Sequence, residues 1–414
     1  MRALVADPAE LRPARYRRFL RRAQVAGLLA DHLVAGEPYL ALNALVLSPA
    51  EDALLRDLTT AFAEAFQAGG EALRPDAPAL IDLGFPWLAA ELLAAEPARV
   101  PLVGRFDFAR DRDGRWWLLE YNADTPSGLR ETIVADRLVH ELLPPARCLD
   151  DPSRCLAGRL IDAFEQAVPA GRALGLVTSA GELEDLCQTA FLGELLRERL
   201  AGRGVEVVVG DARDLCASAG GLRLGGRRLG SLYRLLPFES TLGSPPFAAM
   251  LEAALTGRVA LLNGLYGLLL QHKGVMAWLW QHRDDPALPD DARAAVAGHL
   301  PPTWRIDELP PSEPRATLVA KQVFGREGEE VHFGADLSEP EWAELRRRRT
   351  YVAQRRVAVA ELEAAVPTAG GATRWRGGAT VGAFAVDGRW AGYYARFGGR
   401  LTTNRSKWLA TLVG

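Results

Sequence analysis

The chain has 414 residues, 49% hydrophobic and 24% charged, a composition that buries a large core and excludes disorder, a collagen-like repeat and a small disulfide-stapled scaffold. Lys and Arg (49) nearly balance Asp and Glu (52), and the net charge of -3 provides no global field that would draw the chain to nucleic acid or an anionic membrane. At roughly 100–200 residues per domain the length fits a few structural units or one enzyme of interlocked lobes.

Met1 to Gln24 mixes arginines with acids and lacks the apolar core of a secretory signal, so a cytoplasmic protein is expected. Residues 1–100 read as a mainly helical segment. Within it, Ser48-Pro49-Ala50-Glu51 combines an N-cap serine, a proline at the first helical position and a glutamate three residues on. The Ala/Leu/Phe-rich run that follows is expected to stop at Gly69-Gly70, and a second helix to run from about Pro86 to Glu96. Leu102–Phe108 and Arg115–Tyr121 then read as strands of a hairpin turning at Asp111-Arg112-Asp113-Gly114.

Leu174–Val177, Glu182–Leu200 and Val205–Val209 alternate strand, helix, strand, as in an α/β layer, and Leu222–Leu236 adds short strands. Pro144–Pro152, Gly243–Pro246 and Pro301–Pro314 mark junctions. The longest apolar stretch, Val259 to Leu270, is interrupted by Asn263 and falls short of the roughly 20 residues of a membrane span. Cys148, Cys155, Cys187 and Cys216 have neither metal nor disulfide spacing and are expected as buried free thiols. Arg346–Arg349 reads as a solvated helix face or turn, with an anion site as the alternative. The chain keeps only three lysines, Lys273, Lys321 and Lys407, and all its other basic residues are arginine. A compact ammonium and a planar guanidinium are not interchangeable around phosphate, so these positions stand out.

The chemistry concentrates on the hairpin. Side chains alternate along a strand, so Arg105 and Asp107 share one face and Glu120 and Asn122 share another. A register that pairs 107 with 120 turns all four to the same side, an oxygen-donor cluster beside a guanidinium that suits magnesium. The alternative is a polar outer face of a hairpin. Asp124-Thr125-Pro126-Ser127-Gly128 follows as a small-residue loop that could hold an anionic group, or simply turn into a helix.

Together, RFDFARDRDGRWWLLEYNADTPSGLRE resembles the synthetase domain of glutathionylspermidine synthase and its amidase-free relatives, which are ATP-grasp carbon–nitrogen ligases. Further stretches agree in order: Leu232 to Glu239, His272-Lys273-Gly274, Val319-Ala320-Lys321, Gly325-Arg326-Glu327-Gly328, Tyr351 to Gln354, and Val381 through Ser406. The resemblance implies an α/β (α+β) fold of the permuted ATP-grasp kind, in which the metal-ligand strands precede the nucleotide lysines. It divides the chain into the helical segment 1–100, the hairpin and substrate loop 101–150, an α/β substrate lobe 151–260 and nucleotide lobes 261–414 that return to the core. Because the chain begins near the start of the synthetase portion, a synthetase without the cysteine amidase is expected.

The same resemblance implies roles. Asp107, Glu120 and Asn122 match magnesium ligands, with two ions expected. Arg105 and Arg396 match the arginines at the transferring phosphoryl group. Lys273, Lys321, Gly325, Arg326, Gly328 and Gln354 match the ATP site. Thr125 and Ser127 match the holders of a peptide carboxylate, and Glu239 the attraction of a cationic amine, with an N-cap or surface acid as the structural alternative. The implied reaction joins a peptide carboxylate to an amine or amino acid through an acyl phosphate, with a nucleotide-binding protein that lacks turnover as the rival. Other phosphate chemistries fail: no glycine precedes a lysine as in a Walker A loop, and His282-Arg283-Asp284 is followed by Pro289 where a kinase needs asparagine. The six histidines form no HExxH.

Overall fold

The computed structural model describes all residues except 5–7, 31, 180, 219, 239–243, 326–327, 329 and 404, together with the side chains of Glu10 and Ser218. Two stretches far apart in the chain, Val103–Asn122 and Gly371–Val413, meet in one eight-stranded sheet. Its order is Arg2–Ala3, Leu40–Leu47, Lys407–Val413, Arg389–Gly398, Gly371–Val386, Val103–Arg110 and Trp116–Asn122, with Glu361–Thr368 also paired to Gly371–Val386. Neighbours run antiparallel except Lys407–Val413 beside Leu40–Leu47.

Helix Pro49–Leu73 lies across this sheet. Its start carries the expected capping box, with Ser48 and Glu51 each accepting from the other's backbone, and its buried Phe62 and Phe66 pack on Phe106, Phe108 and Tyr121 of the hairpin. The helix does not stop at Gly69-Gly70. It runs on to Leu73, and the glycines serve packing: a Cβ on Gly70 would lie 2.5 Å from both Leu270 Cδ2 and the Tyr266 hydroxyl oxygen.

The helical reading of residues 1–100 needs a second correction, because Leu40–Leu47 is an eight-residue strand buried throughout. Its sequence, LALNALVL, shows no period-2 alternation because both faces are covered, and such a run cannot be told from a buried helix by periodicity. The expected helices otherwise form as Trp87–Ala95 and Leu183–Ala201.

A six-stranded sheet carries Val207–Asp211, Ala173–Thr178 and Arg227–Leu235 in parallel, with Ala260–Leu262 parallel to Arg227–Leu235 and Gly221–Leu224 and Cys216–Ser218 antiparallel at the edge. A four-stranded antiparallel sheet orders Thr303–Arg305, Tyr351–Arg355, Leu318–Gln322 and Val331–Phe333, so the expected junction at Pro301–Pro314 contributes a strand. Helix Lys273–Gln281 packs on it. The four cysteines are free, but none is buried: Cys148 and Cys216 are exposed, Cys155 and Cys187 partly so. Arg347, Arg348 and Arg349 form a solvated turn, with Arg347 paired to Glu344 at 3.2 Å and Arg349 to Asp82 at 3.0 Å. Among the described residues no helix is long and apolar enough to cross a membrane.

Candidate active site

The hairpin register pairs Arg105 with Asn122 and Asp107 with Glu120, as the side-chain argument requires, and slips by one residue just beyond Asp107. Asp107, 3% exposed, becomes the centre of a charged cluster. Arg105 grips it side-on with one edge of its guanidinium, Nε to Oδ1 at 2.7 Å and Nη2 to Oδ2 at 2.9 Å. Asn122 donates to Oδ2 at 3.3 Å and Arg396 reaches the same oxygen at 3.4 Å. Burial alone would raise the Asp107 pKa, but the two guanidiniums hold it below its ordinary value, so it is a carboxylate. The remaining Nη1 of Arg105 donates to the Ser127 carbonyl at 2.7 Å, tying the cluster to the small-residue loop.

The cluster opens into a cavity of about 550 Å³, lined by Asp107, Glu120, Lys273, Lys321, Gly325, Gly328 and Arg396 among others. Lys273 begins helix Lys273–Gln281. It donates to the Gly325 carbonyl at 2.7 Å and lies 3.9 Å from Glu120. The residue before it, His272, caps that helix by accepting from the Gly274 N–H at 3.0 Å, and burial pushes its pKa down to about 3, so the ring is neutral. Lys321 donates to Leu119 O at 3.0 Å and to Gln354 Oε1 at 2.7 Å. Burial pulls its pKa down to about 8, with Glu120 opposing and Lys273 adding to the shift.

Not every expected residue faces the cavity. Gln354 is buried with both ends engaged, accepting from Lys321 and donating to Thr303 Oγ1 at 3.0 Å, so it positions Lys321 instead of presenting an edge to a base. Arg105 stands behind Asp107. Thr125 and Ser127 are half-buried on their loop. Glu239 and Arg326 lie outside the described residues.

The sequence did not reveal how that loop is held. Asp124, fully buried, pairs with buried Arg234 and accepts from the Phe238 N–H at 3.3 Å. Arg234 also donates to Leu236 O at 2.6 Å and Asn263 O at 3.0 Å, with its guanidinium 3.1 Å from the Phe238 ring centre. Asn263 donates to Val103 O at 2.6 Å and Ala123 O at 3.1 Å. Gln188, from helix Leu183–Ala201, accepts from the Gly128 N–H at 2.8 Å and donates to Pro126 O at 3.2 Å. Arg234 lay within the recognised Leu232–Glu239 stretch, but a buried ion-pair partner 110 residues away has no local signal.

The donor set fits a hard cation. Asp107 Oδ1 accepts one hydrogen bond, from Arg105, and so keeps a lone pair, while the Glu120 carboxylate and the Asn122 amide stand beside it. Among the described residues no three His, Cys, Asp or Glu side chains gather as a self-sufficient metal site, so phosphate and water oxygens would have to complete the shell.

Residues 17–414 match the glutathionylspermidine synthase preATP-grasp family. Among solved structures, a glutathione synthetase-like effector from Globodera pallida in its apo form aligns with a TM-score of 0.67 at 12% identity, covering 99% of this chain and 98% of that one, a likeness of fold. No curated protein matches the chain. The chain belongs to the glutathionylspermidine synthase preATP-grasp family, and its fold is the α/β architecture of ATP-grasp ligases.

Proposed function

We propose that this family member is a cytoplasmic ATP-dependent ligase that joins a peptide carboxylate to an amine or amino acid through an acyl phosphate. The observation that carries the reading is the charge balance of the cavity wall. Among the described residues, Arg112, Lys273, Lys321, Arg356, Arg376, Arg396 and Arg400 line it against the carboxylates of Asp107, Glu120 and Glu361, with Arg105 behind Asp107. That cationic surplus complements a dianion such as Mg-ATP. Magnesium held by Asp107, Glu120 and Asn122 would supply charge neutralisation across the phosphates.

In this reading Lys273 and Lys321 hold the phosphate chain. Arg396, packed against Asp107, offsets the charge that grows on the transferring group. Arg105 links the two half-reactions, since one guanidinium fixes the metal-site carboxylate and the carbonyl of Ser127, so the loop carrying Thr125 and Ser127 presents the acid substrate in fixed relation to the phosphoryl donor. Glu239 would attract the cationic amine, as the family resemblance implies, and enclosure of the reacting groups limits hydrolysis of the acyl phosphate. A second reading, nucleotide binding without turnover, draws on the effector character of the structural neighbour.

The test is phosphate release from Mg-ATP with peptides crossed against amines, read together with product mass. The expected result is release that requires one acid and one amine together, a product lighter than their sum by one water, and loss of turnover by orders of magnitude in Glu120→Gln. Nucleotide binding with no stimulating pair, and with Glu120→Gln indistinguishable from wild type, would favour the second reading.

A further inference from the structure

Helix Pro13–Gly27 breaks the charge balance kept elsewhere. From Arg12 to Arg22 the sequence has six arginines and no acid, in a chain whose net charge is -3. Its first turn holds no acidic residue, so the cations crowd the positive end of the helix dipole, and Arg17 faces Arg21 and Arg18 faces Arg22 at the i, i+4 spacing where like charges repel. Arginine bias of the whole chain explains why these residues are not lysine. It does not explain the missing acids: several exposed arginines elsewhere stand beside a carboxylate, as in Arg213–Asp211 and Arg347–Glu344.

Arg22 pairs with Glu141 at 2.6 Å, whereas exposed Arg12, Arg17, Arg18 and Arg21 have no carboxylate partner among the described residues. Beside this row runs a groove of about 630 Å³, with Leu11 and Tyr16 on one wall, Pro367 and Ala372 on the other, and Arg12 and Arg17 also lining it. Both walls are fixed: the Tyr16 hydroxyl donates to Leu40 O at 2.9 Å, and the Ala369 N–H donates to Glu37 at 3.0 Å, pinning the hairpin turn.

We propose that this groove and its arginine row form a docking surface for an extended acidic segment of a partner protein, separate from the nucleotide cavity. Charge complementarity selects the occupant. Arg12 to Arg21 spans roughly 14 Å of helix axis, the reach of about four extended residues, whose alternate side chains would meet the arginines and the aliphatic walls in turn. Membrane insertion is disfavoured because the apolar face of the helix, Phe19, Ala23 and Gly27, is already buried against the core. Tyr16 is the one aromatic ring among the described lining residues, short of the successive stacking faces that a nucleic acid strand uses.

The probe is a fluorescein-labelled peptide of alternating Glu and Ala, titrated with the full-length protein by anisotropy at low and physiological ionic strength. Binding should weaken about tenfold in Arg17→Gln/Arg18→Gln/Arg21→Gln and also in Ala369→Trp, which fills the groove without changing charge. The control Arg197→Gln/Arg213→Gln/Arg347→Gln, equal in charge change, should bind like wild type. Because the removed charges repel one another, the first triple variant should melt no lower than wild type. No peptide binding, an equal loss in the control, insensitivity to Ala369→Trp, a lower melting point of the first triple variant, or tighter binding to phosphatidylserine vesicles or single-stranded RNA than to the peptide would overturn the proposal.

Discussion

Asp124→Asn tests the claim that the loop carrying Thr125 and Ser127 is held by a buried charge. In the wild-type protein Asp124 and Arg234 are 0% and 1% exposed at their side chains. The asparagine keeps shape and removes charge, leaving Arg234 buried beside two carbonyls and the face of Phe238. Removing one partner of a buried pair costs about 3–5 kcal/mol, and the surviving carbonyl contacts place this case near the low end. The exposed pair Arg197–Glu194 supplies the comparison, since Glu194→Gln should cost no more than about 1 kcal/mol. Urea unfolding followed by circular dichroism reads both variants. The double replacement Asp124→Leu/Arg234→Met, which removes the charge pair altogether, should recover most of the loss. If Asp124→Asn unfolds within about 1 kcal/mol of wild type, or if the double variant is the worse of the two, the ion pair is not what holds the loop.

The site makes further predictions. Lys321, held near 8 by burial, sits below its ordinary 10.5. The folded protein therefore releases this proton before the unfolded chain does, and the Lys321 contribution to stability rises as pH climbs from 8 toward 10.5 and is lost as pH falls through 8. Mg-ATP affinity should run the opposite way, flat below that pH and falling by up to about tenfold per unit above it, with Lys321→Arg removing the slope in calorimetric titrations. Gly382→Ala would place a Cβ 2.7 Å from both Arg105 Cδ and Asp107 Oδ1, so nucleotide binding should fall while the melting curve moves little. Gly70→Ala gains about 1 kcal/mol of helix propensity but crowds Leu270 and Tyr266, and overpacking of about 1–3 kcal/mol should leave the variant melting below wild type.

What could be read from the sequence was local. The hairpin's strands and turn followed from alternation and the Asp-Gly turn, and the Ser48 cap from four consecutive residues, whereas the pairing of Asp107 with Glu120 rests on a one-residue slip that the sequence does not mark. Lys273 and Lys321 stood out because lysine is rare in this chain, and both line the cavity. What could not be read depended on distant partners. Leu40–Leu47 is a strand because Lys407–Val413 pairs with it. Gly69-Gly70 look like a helix stop until Leu270, Tyr266 and Trp278 are placed against them. Gln354 sits in the four-stranded sheet between Thr303 and Val319, and its orientation is decided by its hydrogen bonds to Thr303 and Lys321.

The row that builds the site shows why the order of strands matters more than any single motif. Across three adjacent strands the register aligns Asp107, Gly382 and Tyr394. Because the middle position has no side chain, the Arg105 guanidinium can lie across it, clasping Asp107 on one side and resting 4.8 Å from the centre of the Tyr394 ring on the other. Arg396, two residues along from Tyr394 and so on the same face, then reaches Asp107 from beyond the glycine. Tyr394 is held in turn by a hydrogen bond between its hydroxyl and that of Tyr39. A carboxylate with two guanidiniums in a buried position would be poorly matched if charge alone were counted, since the cations exceed the anion. The π-face of Tyr394 beneath Arg105, and the Ser127 carbonyl on its free edge, supply part of the missing negative potential. Glu120 supplies more from the cavity side, and the pairing of Val103–Arg110 with Gly371–Val386 in one sheet is what gathers these charges.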